Sequence, residues 1–317
     1  MGLKLEAPAE EGFGAGGRLL SVMIPIWNCR TLLPETLASL LDQGIEDAQI
    51  EVLDDQSDDR PEDVVEAFGG LPVRFFRHPG KVGMIGNFNA CIERAERPWV
   101  HILHGDDFVL PGAYGRVADV VRSVPDAGAV FGRSVTVDGA SRWRSITPIL
   151  GPDRFGRLAY RPEQWGLTPV QFAGVFFRRE AAIQLGGFAP LRPHTADWDL
   201  WWRLARTGTA AYTNECIGAY REHEASDSSM LRRDGENLRQ SLAQLEAVMS
   251  ADGRTDADVA ERLMRFALVQ AEQFWPERRV FARHVRIIWR FPKAVAPRRR
   301  VIRLIASLST RSRRPAT

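Results

Sequence analysis

Two adjacent carboxylates, Asp106 and Asp107, stand in the segment HGDDF directly after the strand-like run WVHIL. In open α/β sheets ligands bind outside the carboxyl ends of the strands, and Mg²⁺ or Mn²⁺ is commonly held there by one or two carboxylates together with phosphate oxygens. The pair therefore predicts a divalent-cation site that serves a nucleotide. A bare pair of aspartates also forms turns and helix N-caps, so the residues around it have to decide between these interpretations.

Two earlier segments contain residues that could recognise a nucleobase. The first predicted strand ends in PIWN, with Pro25, Trp27 and Asn28, and the second ends in LDDQSDD, with Asp55. An aromatic ring can stack on a base, and a carboxylate can accept a hydrogen bond from an imide N–H. Trp27 could also be a core residue, so neither segment is specific alone.

Two later segments could complete a site. ADWDLWWRLA has the pattern of a short amphipathic helix with Asp197 at its expected N-cap, and YREH places His223 on a loop. A carboxylate at that position is also explained by the helix dipole alone, with Asp199 as a solvated neighbour. His223 could be an ordinary loop histidine or a metal ligand.

These segments need elements that hold them at one end of a sheet. Residues 18–133 alternate short β-branched runs with amphipathic segments, which predicts an α/β fold with a mostly parallel central sheet and helices on both faces. Residues 134–175 are irregular, as in a connection over an active-site mouth where an acceptor would bind. Residues 231–275 have a wholly helical pattern, and residues 278–309 form two basic amphipathic segments.

The domain organisation follows from the same patterns. Residues 1–17 lack a signal-peptide core, end in a Gly-rich tract and are expected to be a disordered lead-in. Residues 18–230 form the expected catalytic domain, and residues 231–317 a helical C-terminal extension with a basic amphipathic tail. The fold class is therefore α/β with a C-terminal helical extension.

The amino-acid composition indicates the structural class of the protein and the cellular compartment in which it is expected. The chain has 317 residues, of which 44% are hydrophobic and 26% charged, so it is a globular protein and neither fibrous nor disordered. Its three cysteines are far apart and cannot all pair, which favours a reducing, cytoplasmic compartment. No apolar run approaches membrane-spanning length.

Charge is distributed unevenly. Residues 278–317 contain 13 Lys and Arg and no Asp or Glu, whereas the first 277 residues have a net charge of −11. The tail mixes Arg with large apolar residues, which suits an anionic membrane surface such as the inner face of the plasma membrane. It could instead pack on the catalytic domain with a solvated Arg face. Nucleic-acid binding is not expected, because no reader motif accompanies the charge.

Read together and in order, these segments resemble the family 2 glycosyltransferases over residues 18–229. The motifs that carry the resemblance are PIWN, DDQSD, GKVGMIGNFNACIERAERPWVHILHGDD, GGF, ADWDLWWRLA and YREHEAS. The combination of NFN and LHGDD is similar to bacterial members that make cell-surface glycans. The resemblance implies the A-type, Rossmann-like glycosyltransferase fold, a nucleoside-diphosphate sugar donor, a divalent cation (Mn²⁺ or Mg²⁺) and inversion at the anomeric carbon.

The resemblance also implies roles for individual residues. Asp55 matches the carboxylate that reads the nucleobase, with Pro25, Trp27 and Asn28 beside the base. Asp106 would face the ribose or the sugar. Asp107 would ligate the metal that bridges the diphosphate, and His223 would close over the diphosphate or the metal. Asp197 aligns with the catalytic base, with Asp199 as the alternative.

The sequence departs from the family pattern at two positions. Ala196 stands where an acidic residue often precedes the base, and Gln56 where Gly is common. The expected partners are a nucleoside-diphosphate sugar and a glycan or lipid-linked acceptor. A nucleotidyltransferase is the first alternative, although PIWNCRTLLPET lacks the Gly-rich phosphate loop that such an enzyme needs. The second alternative is a non-catalytic, membrane-associated scaffold with a degenerate site.

Overall fold

A computed structural model describes residues 12–159, 170–223, 227–251, 253, 257–291 and 296–311. These residues form two compact units. The first contains the described residues up to Glu222 and the second those from His223 onward. The division comes before the boundary predicted after residue 230, which lies inside a helix of the second unit.

The first unit is built on a mixed sheet. Its strands are β1 Leu20–Ile26, β2 Gln49–Asp54, β3 Val73–Arg77, β4 Trp99–Ile102, β5 Phe108–Val109, β6 Ala129–Asp138, β7 Trp143–Ile146, β8 Phe155–Arg157, β9 Val175–Arg178 and β10 Ala210–Glu222. They are ordered β3-β2-β1-β4-β9-β6-β10-β5, with β7 paired to β6 and β8 paired to β10.

The predicted parallel pairing holds in the N-terminal half of the sheet, where β3, β2, β1 and β4 are all parallel. Every residue of β1 and β2 is buried, as expected of strands covered on both faces. β9 is antiparallel to both β4 and β6, so β6 again runs in the direction of β4, and β10 is parallel to β6. The carboxyl ends of β1, β2, β4, β6 and β10 therefore lie at one edge.

Helices pack around this sheet, most of them in segments whose amphipathic pattern predicted a helix. Those of the first unit are α1 Leu33–Ala38, α2 Glu62–Ala67, α3 Gly83–Arg94, α4 Ala113–Ser123, α5 Arg179–Gln184 and α6 Ala196–Arg206. Buried apolar residues of β1, β2, α1 and α4 belong to one core cluster. The α/β fold class is confirmed.

The N-terminal segment is more ordered than predicted where the structure describes it. Residues 1–11 lie outside the described residues, but Phe13 is 3% exposed. Its ring meets that of Trp99 edge-on at 5.9 Å and stacks on Phe176 at 5.6 Å. The predicted disorder is therefore wrong for residues 12–17, because one aromatic side chain anchors a Gly-rich tract in the core.

The second unit is helical, as predicted. Its helices are α7 Asp227–Asp234, α8 Glu236–Ala251, α9 Ala257–Gln273, α10 Arg278–Ile288 and α11 Pro297–Arg311. The helical stretch predicted for residues 231–275 is interrupted at Gly235, whose φ of +71° favours glycine. None of the helices in the described part of the chain is long and apolar enough to span a bilayer.

Candidate functional site

The loops after β1, β2 and β4 lie against one another at the carboxyl edge of the sheet. The amide of Asp55 donates to the carbonyl of Ile26 at 3.0 Å, and the amide of Gly105 donates to the carbonyl of Pro25 at 3.4 Å. A Cβ on Gly105 would lie 2.5 Å from Ile26 Cγ2 and 2.7 Å from Cys29 Sγ, so only glycine fits this approach. The motifs PIWN, LDDQSDD and HGDDF are thereby brought together.

Trp27 is a surface residue and not part of the core. Its side chain is 43% exposed, and Lys81 Nζ lies 3.7 Å from the centroid of its ring. The neighbouring Asn28 has a φ of +52° and fixes the loop. Its amide donates to Ser57 Oγ at 2.8 Å, and its Oδ1 accepts from the Asp58 amide at 2.9 Å. An exposed aromatic ring on a fixed loop is suited to stacking on a planar ligand.

Asp55 is 3% exposed and contacts the start of α3. Its two carboxylate oxygens accept from the amides of Val82 at 2.6 Å and Gly83 at 2.9 Å. A carboxylate has about four acceptor positions, so these bonds leave capacity for an N–H of a base. Asp54 is fully buried and supports the loop instead, accepting from Ser57 and Arg77.

Gln56 explains one departure from the family pattern. It has a φ of +62°, which accounts for the glycine expected there. Its side-chain amide donates to the carbonyl of His78. This bond supplies local stabilisation that helps offset the cost of the left-handed conformation.

Asp107 is the most deeply buried of the predicted site carboxylates, at 1% exposure. Its Oδ1 accepts from the amide of Arg221 at 2.9 Å, but its Oδ2 accepts no hydrogen bond from any residue that the structure describes. Burial, and secondarily the charge of Asp106, raises the pKa of Asp107 well above its ordinary value. A buried carboxylate oxygen without a donor is what a cation ligand requires before the cation binds.

His104 joins this pair. His104, Asp106 and Asp107 each present one ligand atom within 4.8 Å of the others, and His104 Nδ1 lies 4.0 Å from Asp107 Oδ2. Two carboxylates and an imidazole suit Mn²⁺ well. The residues present therefore fit a divalent cation. The sequence prediction missed His104, although it lies in the same HGDD motif.

An aromatic cluster connects this metal loop to the C-terminal part of the unit. The cluster consists of Phe88, His104, Phe172, Phe188 and Trp201. The ring of His104 lies 5.0 Å from Phe88 and 4.3 Å from Phe172, and Phe172 lies 5.3 Å from Trp201 of α6. Packed rings at such distances fix the metal loop relative to α6.

Asp197 is the second residue of α6, and the N-cap is Thr195 rather than Asp197 as predicted. Burial raises the pKa of Asp197 to about 6, against hydrogen bonds from the backbone amides of Trp198 and Asp197 itself. Asp197 is four residues before Trp201, so the two side chains share one face of the helix. The aromatic cluster thus links the helix face of Asp197 to the metal loop.

Asp199 has a structural role. Its carboxylate pairs with the guanidinium of Arg203 at 2.8 Å, and Arg203 also donates to the carbonyl of Gly187 at 2.7 Å. Two guanidinium nitrogens of Arg203 thus engage Asp199 Oδ2, and this contact ties α6 to the GGF segment through the carbonyl of Gly187.

The NFN motif connects three parts of the site. Asn87 donates to the carbonyl of Leu53 at 3.0 Å, at the end of β2, and Phe88 packs on His104. Asn89 donates to the carbonyl of Phe188 at 3.0 Å and accepts from its amide at 2.8 Å. The motif therefore holds the nucleobase side, the metal loop and the GGF segment in fixed relation.

Arg221 and His223 of the YREH motif belong to different units of the structure. Arg221 is 2% exposed and bonds to Asp107 through its backbone amide. His223 directly follows β10, is half-buried and is the first residue of the second unit. Its contribution to metal binding stays a prediction.

The sequence of this chain is similar to a known protein family and to several bacterial proteins. The model of the family described as "Glycosyl transferase family 2" matches residues 21–186. An uncharacterized protein of Mycobacterium tuberculosis is 24% identical over 242 residues, covering 69% of this chain and 72% of its own. An uncharacterized glycosyltransferase of Rickettsia typhi is 21% identical over 214 residues, covering 67% of this chain and 66% of its own.

Solved structures share the fold. TarS of S. aureus (residues 1–349), in complex with UDP-GlcNAc, superposes with a TM-score of 0.63 at 15% identity, over 93% of this chain and 91% of that one. The mannosyltransferase PcManGT of Pyrobaculum calidifontis, in complex with GDP-Man and Mn²⁺, superposes with a TM-score of 0.54 at 16% identity, over 94% of this chain and 76% of that one.

Proposed function

Because this chain belongs to glycosyl transferase family 2 and has the A-type fold of a glycosyltransferase, we propose that it transfers a sugar from a nucleoside-diphosphate sugar to a hydroxyl group. The acceptor is a glycan or a lipid-linked molecule, the anomeric carbon is inverted, and the reaction depends on Mn²⁺ or Mg²⁺. This proposal depends mainly on the cluster of His104, Asp106 and Asp107. Within the cluster, the buried Asp107 Oδ2 accepts no hydrogen bond from the described residues.

The donor would bind along the loops that follow β1, β2 and β4. In the proposal, Trp27 stacks on the base beside Pro25 and Asn28, and Asp55 accepts the N–H of the base. Asp106 faces the ribose or the sugar. Support comes from the exposed ring of Trp27 and the unused acceptor capacity of Asp55, and from the UDP-GlcNAc and GDP-Man complexes of TarS and PcManGT.

Asp107 and His104 would hold the cation, and His223 is a further predicted ligand. When bound, a divalent cation neutralises charge that grows on the departing diphosphate. Asp107 is suited to this because its Oδ2 needs a positive partner once the carboxylate is ionised. The imidazole of His104 favours Mn²⁺ over Mg²⁺.

Asp197 would act as the general base. With a pKa of about 6 it is largely ionised at neutral pH, and it is a stronger base than an ordinary aspartate. An alcohol is a much weaker acid than a carboxyl group, so Asp197 takes the proton of the acceptor hydroxyl as the bond to the diphosphate breaks. The buried, apolar Ala196 leaves Asp197 as the acidic residue at the start of α6 that is not engaged by Arg203.

Nucleotide binding provides the first test. Thermal denaturation with a panel of nucleoside diphosphates, with and without Mn²⁺, should show one nucleoside that raises the melting temperature strongly only when Mn²⁺ is present. A ligand that binds only the folded state stabilises it by mass action, by about 2.7 kcal/mol at 100 times its Kd. Absence of stabilisation by every nucleoside diphosphate with Mn²⁺ would contradict the proposed donor class.

We also propose that the second unit rests on an anionic membrane at the cytoplasmic face, where a lipid-linked acceptor would be met. Phe266 and Val269 of α9 are exposed one turn apart, and so are Ile302 and Ile305 of α11. Trp289, after α10, is exposed as well. Exposed apolar residues on helices that also carry exposed Arg suit the interface of an anionic leaflet.

The exposed basic side chains of this region are numerous. They are Arg278, Arg279, Arg283, Arg286, Arg290, Arg298, Arg299 and Arg303. Each near-surface Arg contributes on the order of 1 kcal/mol to binding an anionic bilayer. The absence of acidic residues from 278–317 means that this attraction meets no opposing charge within the segment.

Vesicle sedimentation tests this surface. The protein should bind vesicles of phosphatidylglycerol and phosphatidylcholine. The double variant Ile302→Ser/Ile305→Ser should bind at least about tenfold more weakly, because inserting two isoleucine side chains into the bilayer contributes a few kcal/mol to the free energy of binding. Ile183→Ser, which removes an exposed isoleucine of the first unit, is the matched control. Equal binding by wild type and double variant, or no preference for anionic over neutral vesicles, would contradict the proposal.

A further inference from the structure

Arg221 is a buried cation directly beside the metal loop. Its side chain is 1% exposed. Its Nε donates to the main-chain carbonyl of Asp106 at 2.8 Å, and its own amide donates to Asp107 Oδ1 at 2.9 Å. Both aspartates are therefore held by one residue of β10, although β10 and the metal loop are distant in the sequence. Bonds of this kind fix the direction in which Asp107 presents its other oxygen.

The counter-ion of this buried guanidinium is Glu35 of α1. Arg221 Nη2 lies 2.7 Å from Glu35 Oε2, and Arg221 Nη1 donates to Ser141 Oγ at 2.8 Å. Ser141, in the turn between β6 and β7, in turn donates to Glu35 Oε1 at 2.9 Å. The next residue of α1, Thr36, donates to the main-chain carbonyl of Asp107 at 2.7 Å. α1 thus holds the metal loop both directly and through Arg221.

The negative charge of Glu35 should favour binding of a divalent cation at the neighbouring aspartates. A buried Arg beside a metal site repels a divalent cation, and this repulsion is strong because little water screens it. Glu35 neutralises that charge through a paired contact, so the aspartates keep their negative potential. Without its counter-ion, the guanidinium would have only neutral acceptors, such as the Asp106 carbonyl and Ser141 Oγ, and its uncompensated charge would compete with the cation for the carboxylates.

We propose that Glu35 and Arg221 form a positioning pair that sets the affinity of the site for its divalent cation. The inference rests on the proposed function, because it assumes that Asp107 binds the cation. Arg221 orients the aspartates through the Asp106 carbonyl and the Asp107 carboxylate. Glu35 cancels the charge that Arg221 brings, and Ser141 keeps the two side chains in register. Neither Glu35 nor Ser141 lies in a motif that carries the family resemblance.

Mn²⁺ binding to the whole protein tests this pair without reference to turnover. Electron paramagnetic resonance, which measures free Mn²⁺, should show that Glu35→Gln raises the Kd for Mn²⁺ about tenfold, as loss of an outer-shell partner typically does. Arg221→Lys should raise it as well, because an ammonium cannot contact Asp106, Ser141 and Glu35 together. Ser141→Ala should act in the same direction with a smaller effect.

Two controls separate the positioning role from loss of structure and from a general charge effect. Glu66→Gln removes an exposed carboxylate from α2 and should leave the Kd for Mn²⁺ unchanged. Hydrolysis of the donor by Glu35→Gln should recover toward the wild-type rate at excess Mn²⁺, which a misfolded site would not do. An unchanged Kd in Glu35→Gln overturns the inference and leaves the proposed function intact. A wild-type protein that binds no Mn²⁺ overturns the metal dependence itself.

Discussion

Asp197→Asn is expected to abolish sugar transfer while the affinity for the nucleoside diphosphate stays close to that of the wild type. The amide has nearly the shape of the carboxylate but cannot accept the proton of the acceptor hydroxyl. Loss of a general base typically costs about 10²- to 10⁴-fold in rate. Steady-state rates and nucleotide titration calorimetry measure the two quantities separately, because the proposed work of Asp197 occurs only during bond exchange.

The pH dependence of the transfer rate should reflect the ionisation of Asp197. Asp197 must be ionised to act as a base, so the rate should fall as the pH decreases through the pKa of about 6 and level off above it. Asp199→Asn is the matched control: it breaks the contact with Arg203 and should lower the melting temperature without removing this acid limb. Strong residual transfer by Asp197→Asn, or an acid limb lost only in Asp199→Asn, would assign the base to another residue.

Asp107→Asn should weaken Mn²⁺ binding by at least about 100-fold and reduce transfer correspondingly, since a lost ligand costs more than a lost outer-shell partner. The same change should not lower the melting temperature of the metal-free protein. Burial raises the pKa of Asp107, which means that the ionised form is unfavourable in the folded state at neutral pH. A neutral amide of the same size removes that cost and can still accept from the Arg221 amide.

Asp153→Asn, on an exposed loop of the same unit, is the control for a change of one charge. It should alter neither Mn²⁺ affinity nor melting temperature. Unchanged Mn²⁺ binding by Asp107→Asn would place the cation elsewhere. A large fall in melting temperature of the metal-free variant would mean that the carboxylate is a structural residue with partners that stabilise its charge.

The elements that position the donor side could be predicted from the sequence because their signals are local. Short β-branched runs mark β1 and β2, and amphipathic patterns mark α3 and α4, so the α/β architecture followed directly. The short edge strands β7 and β8 were not predicted, because strands of three or four residues in a Gly-, Pro- and Arg-rich segment have no periodicity to detect. Their pairing is decided by neighbours in space.

The site was harder to predict wherever it depends on long-range contacts. Asp107 could be found from its motif, but Glu35 and Arg221 are separated by 186 positions and meet only in the fold. His104 was overlooked because a histidine before two aspartates is not a metal signature by itself, whereas the packing of its ring between Phe88 and Phe172 directs it toward Asp107. The close approach of Gly187 to Asn89, where an added Cβ would lie 2.6 Å from Asn89 Oδ1, is likewise visible only in the fold.

Anomalous diffraction from crystals grown with Mn²⁺ and the nucleoside diphosphate that stabilises the protein is the decisive measurement. We expect one strong peak that contacts Asp107 Oδ2 and the diphosphate, with the Asp197 carboxylate open to the same cleft. A peak away from Asp107, or a bound nucleotide whose diphosphate lies on a surface that Asp197 does not share, would contradict the proposed enzyme.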